Sequence, residues 1–179
     1  MKTVLPLFIA LVCCWQLARL PAPERAVQVA SLYVGHQEVT TNRSHLIDYW
    51  NARLNLPMGS NYCASFVAFV LDSAQVVYPK VRSGVAQQYI TNQSIPAGRV
   101  ASGRDIPKGY LVVWKRGNTW MGHVEIVRRQ WTGTGGLTIG ANTSPGSGGD
   151  QRQGNGVWAR ERHIDPTAYF RITHFTPVR

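Results

Sequence analysis

"HVEIVRRQWTGTGGLTIGAN", residues 123–142, holds two short β-like runs around a turn-rich centre. The segment "QWTGTG" has its midpoint between Thr132 and Gly133. Folding a hairpin about that point pairs His123 with Asn142, Val124 with Ala141, Glu125 with Gly140 and Ile126 with Ile139. Side chains alternate faces along a strand, and paired residues share a face. One face is then Val124, Ile126, Ile139 and Ala141, wholly apolar and fit to pack on a helix. The other carries His123, Glu125, Thr138 and Asn142. Apolar alternation alone selects these faces, and a two-residue slip would leave His123 and Asn142 together.

Further β-like runs flank the hairpin: "YLVVW" (110–114), "VWARER" (157–162) and "YFRITHF" (169–175). Upstream, "SHLIDYWNARL" (44–54) reads as a helix with Ser44 as its cap. From Cys63, the residues Phe66, Val67, Val70, Leu71 and Ala74 recur at spacings of three and four, which predicts an amphipathic helix to about Gln75. Residues 21–44 read as a polar linker marked by Pro21 and Pro23, and residues 79–108 as loop-rich. Helices first and a strand meander afterwards predict an α+β domain, N-terminal helices packed on an antiparallel sheet.

The chain has 179 residues, 44% apolar and 16% charged, a composition that suits one globular domain. Its net charge of +10 favours polyanions such as an anionic envelope polymer. No dense Lys/Arg run is present, which argues against nucleic acid. "MKTVLPLFIALVCCWQLARL" places one positive charge before the apolar stretch Val4–Ala18, the order of a secretory signal. The stretch is short for a spanning helix, but no cleavage site is clean, so an uncleaved anchor stays open. Residues 1–26 are read as signal or anchor and 27–179 as a single domain. An exported location follows: periplasm, envelope or exterior, with membrane contact only through an uncleaved N-terminal segment.

Cys63 is the one cysteine beyond Cys13 and Cys14. A lone thiol is a buried core residue, half of a disulfide, a metal ligand or a nucleophile. Loss of the N-terminal segment would leave it without an internal disulfide partner. No second Cys lies at ligand spacing, and His36, His45, His123, His163 and His174 form no paired motif, so neither metal nor cofactor is expected. A thiol at a helix start, with an imidazole beside a carboxamide on the adjoining sheet, supplies the parts of a cysteine nucleophile site. The helix N-terminus and an imidazolium favour the reactive thiolate. His123 would move the proton, Asn142 would hold the imidazole, and the Cys63 backbone N–H would face an oxyanion. Asn61 and Tyr62, just before the thiol, and Trp120, just before His123, are candidate groove residues. "SPGSGGDQRQGNG" (144–156) lacks the Lys of a phosphate loop and the spaced acids of a calcium loop.

As a set, "NLPMGSNYCASFVAFVLDSAQV", "YLVVWKRGNTWMGHVEIV", "LTIGANTS" and "GNGVWARER" resemble the CHAP family of cysteine- and histidine-dependent amidohydrolases/peptidases. The resemblance covers roughly residues 33–175. It implies a papain-like fold and cleavage of amide bonds in peptidoglycan as amidase or endopeptidase; a monomer is expected, without any sequence feature that settles the oligomeric state. The family's nucleophile falls on Cys63, its base on His123 and its orienting residue on Asn142. Members often carry Glu two residues before the Asn, where this chain has Gly140. Across the hairpin, Glu125 faces Gly140 and is the candidate substitute. Two other functions remain: a silent wall-binding module of the same fold, and a wall-degrading toxin.

Overall fold

The computed structural model describes residues 19–145 and 154–179. Its elements are helices α1 (Ala22–Ser31), α2 (His45–Ala52) and α3 (Cys63–Ser73), a 3-10 turn (Ala86–Tyr89), strand β1 (Ile95–Pro96) and helix α4 (Ala97–Ala101). Strands β2 (Leu111–Arg116), β3 (Gly122–Val127), β4 (Gly135–Thr143), β5 (Gly156–His163) and β6 (Phe170–Thr176) follow. They form a six-stranded sheet in the order β1-β6-β2-β3-β4-β5. Every pairing is antiparallel, so the molecule is the α+β domain expected from the strand meander.

The hairpin register is the one reflection gives: Ile126 opposes Ile139 and Val127 opposes Thr138. Val113, Val124, Ile126, Ile139 and Ala141 pack with Phe66, Val67, Val70 and Leu71 of α3 in the main core. A second core on the opposite face gathers Val112, Trp114, Val127, Trp131, Ile172 and Phe175 with Val100 of α4. Ser44 caps α2 by accepting from the Ile47 N–H, as its position predicts.

Two expectations need correction. Residues 22–31 are not linker. Proline is tolerated in the first helical turn because no backbone N–H is needed there, and Pro21 and Pro23 open α1. Ala26 and Ala30 are fully buried in the main core, and the Arg25 Nε donates to the Ala74 carbonyl (2.8 Å). A boundary between residues 26 and 27 therefore cuts a packed helix, and the folded unit includes all of α1. The loop-rich 79–108 segment likewise contains β1 and α4. The apolar segment Val4–Ala18, with its signal-or-anchor reading, lies outside the described residues. No helix among the described residues is long and apolar enough to cross a membrane.

Residues beyond α1 run along the free edge of β5. Gly35 N–H donates to the Val157 carbonyl (2.8 Å), Val157 N–H to His36 (2.9 Å) and Glu38 N–H to Asn155 (2.8 Å). This covers the start of the β5 edge and brings Glu38 near the start of α3.

Candidate active site

Cys63 is the first residue of α3, 7% exposed and free of any disulfide. The helix begins without a side-chain cap. Among the described residues, the N–H groups of its first turn thus have no capping side chain.

His123 lies where β3 begins, 4% exposed, with Trp114 edge-on at 5.4 Å between ring centroids and Phe170 at 6.5 Å. Its Nε2 is 2.9 Å from Glu125 Oε1. Cys63 acts on the imidazole by charge. Burial alone would lower the His123 pKa, but Cys63 and Glu125 outweigh it and raise the pKa to about 9. Both neighbours thus favour the imidazolium over the neutral ring.

Glu125 is fully buried. Burial opposes its ionisation, yet the Arg162 guanidinium and His123 hold its carboxyl well below the usual carboxylate range. Arg162 grips both oxygens, Nε donating to Oε2 at 3.0 Å and Nη2 donating to Oε1. The Thr138 hydroxyl also donates to Oε2. Arg162 Nη2 reaches the Thr143 hydroxyl as well (2.9 Å), and its guanidinium lies 5.6 Å from the Trp114 ring centre. A paired, hydrogen-bonded charge survives burial where an isolated one would not.

The carboxylate of Glu125 rests directly over Gly140: a Cβ there would overlap its Oε1, Cδ and Cγ. The space a side chain at 140 would need is filled from the neighbouring strand.

Asn142 does not hold the imidazole. Alternation placed it on the His123 face, but β4 carries a bulge between Ala141 and Thr143, and Asn142 takes a left-handed φ of 55°. A bulge inserts an unpaired residue and re-aims its side chain. Asn142 Nδ2 donates to Asn61 Oδ1 at 3.1 Å, and its own buried Oδ1 has no partner among the described residues. The position expected for Asn142 beside His123 is occupied by Glu125.

Tyr62 does not line a groove, because it is fully buried. Its hydroxyl donates to Glu38 Oε1 at 2.9 Å, which ties the start of α3 to the segment along the sheet edge. Asn61 is exposed. Trp120 is 73% exposed in the β2–β3 turn, with Tyr169 (62% exposed) beside that turn.

Arg162 is the participant that sequence reasoning passed over. Its signal was present in "VWARER": Arg160 and Arg162 alternate, and pairing β5 on β4 sets them opposite Thr138 and Gly136, on the Glu125 face. Among the described residues no group of acidic, histidine and cysteine side chains is arranged to hold a metal ion. Compared with protein-family models, curated proteins and solved structures, the chain matches none of them.

Proposed function

We propose that this protein is an exported thiol hydrolase, papain-like and of the CHAP type, that cleaves amide bonds in peptidoglycan. The observation that carries the reading is the line Cys63–His123–Glu125, with the imidazole Nε2 bonded to the Glu125 carboxylate and Cys63 acting on the ring by charge. The thiolate attacks the carbonyl carbon, the S–C bond forms, and the carbonyl π electrons move to oxygen. As the tetrahedral species collapses, the C–N bond breaks and the His123 imidazolium gives its proton to the leaving amine. Water, deprotonated by the neutral imidazole, then attacks the thioester and releases Cys63. Glu125 keeps the ring in one orientation and stabilises its charge, the part a carboxylate plays in a triad.

The substrate class rests on the resemblance of the motifs around Cys63 and His123, and on the +10 charge, which suits an anionic wall. Gly140 was the ground for reading the chain as a silent wall-binding module. A carboxylate already seated over Gly140 supports the active reading instead.

Purified peptidoglycan incubated with the full chain should release new amino termini, and the Cys63→Ala variant should release none. An L-alanine terminus would mark an amidase, and a terminus within the stem or cross-bridge an endopeptidase. Release by neither protein, with both retained on the wall, would favour the binding module.

A further inference from the structure

Glu125 orients His123 only if something orients Glu125, because its carboxylate stands on a chain of freely rotating single bonds. We propose that Arg162 is the positioning residue of this site: its planar fork sets the Glu125 carboxylate, and through it the plane of the His123 imidazole. The proposal rests on the thiol-hydrolase reading and deepens it.

An ionised carboxylate has two oxygens and about four places for accepted hydrogen bonds. In Glu125 each oxygen takes two donors. Oε1 accepts from His123 Nε2 at 2.9 Å and from Arg162 Nη2. Oε2 accepts from Arg162 Nε at 3.0 Å and from the Thr138 hydroxyl. The His123 bond alone belongs to the line toward the thiol. Of these three donor side chains, Arg162 is the one that binds both oxygens. Paired N–H bonds from a planar guanidinium fix the plane of a carboxylate as well as its position, whereas a single donor lets it swing.

The fork is itself held. Arg162 is 8% exposed, and its Nη2 donates to the Thr143 hydroxyl at 2.9 Å. Its guanidinium lies 5.6 Å from the Trp114 ring centre, within cation–π range. Trp114 pairs with His123 across β2 and β3, and its ring stands edge-on to the imidazole at 5.4 Å. Fork and imidazole therefore pack on the same indole. Indole, carboxylate, hydroxyls and guanidinium come from β2, β3, β4 and β5, four consecutive strands of the sheet. A constellation carried on paired strands is held more precisely than one on loops.

The test uses the full chain with isotope-labelled histidine. An imidazole N–H bonded to a fixed, buried carboxylate resonates far downfield and exchanges slowly with water, and His123→Ala identifies the His123 signal. Arg162→Lys keeps the charge and Arg162→Gln keeps one donor, but neither keeps the fork. Both should lose the protected Nε2–H signal and release amino termini from saturating peptidoglycan at least about tenfold more slowly. Once Glu125→Gln is in place, adding Arg162→Lys should cost no more than about twofold further, because Arg162 acts through Glu125.

An Arg162→Lys chain that keeps the signal, or keeps its rate within about threefold, would overturn the proposal, since charge alone would then suffice. An equal cost in the wild-type and Glu125→Gln backgrounds would overturn it as well, assigning Arg162 to the fold. So would failure of both Arg162 variants to give a cooperative denaturant transition. The Nε2–H signal needs no substrate. An Arg162-dependent signal in a wild type that releases no amino termini would uphold the positioning and remove the hydrolase reading alone.

Discussion

At the residue scale, the site is governed by how a buried histidine keeps its charge. Desolvation works against the imidazolium, and Cys63 and Glu125 reverse that, raising its pKa to about 9. A folded-state pKa above the ordinary value of about 6.5 adds stability that is complete below about pH 6.5. That contribution is lost as pH rises through about 9. Turnover that needs the imidazolium to protonate a leaving amine should fall on the same alkaline limb. A pH–rate profile of kcat on released amino termini checks this, and a decline centred near pH 6.5 would match an unpaired histidine instead. Glu125 has the opposite sign. Its pKa is depressed, so its contribution is present above the ordinary carboxylate range and is lost only in strong acid.

The elements show where alternation along a strand succeeds and where it stops. Cys63, His123, Glu125 and Thr138 were legible because helix periodicity and the period of two hold through α3, β3 and most of β4. Asn142 was misassigned because a bulge adds one residue to β4, and no pattern in "GANTS" announces it. Helix α1 was missed because Pro21 and Pro23 serve equally as linker residues and as a first helical turn, and only its packing decides. Arg162 required pairing a third strand before its partner could be seen. Two tests belong at this scale. Glu125→Ala should lower activity at least about tenfold, and moving the carboxylate to the other strand, as Glu125→Ala with Gly140→Glu, should recover part of it. An effect of Glu125→Ala under about twofold would remove Glu125 from the mechanism. Ala26→Leu should overfill the core beneath α1 and cost about 1–3 kcal/mol in denaturant unfolding, whereas a residue in a linker would leave the midpoint unchanged.

Across the whole molecule, two apolar cores lie on opposite faces of one sheet, and His123 and Glu125 share the face of the second, opposite Trp114 and Val112. Helix α3 delivers the thiol from one core, while β3 delivers the imidazole and the carboxylate, and β5 the arginine, from the other face. The fold class follows directly from the order of periodicities in the chain. The site needed more, since its ion pairs join residues 37 positions apart and depend on burial that no single segment determines. The central claim is that His123 activates Cys63. The most direct test is the rate of iodoacetamide alkylation of Cys63 at pH 7, in the full chain and in its His123→Ala variant. A rate well above that of free cysteine, falling at least about tenfold on loss of His123, is the expected result. A Cys63 that reacts no faster than free cysteine, and is indifferent to His123, would contradict the account.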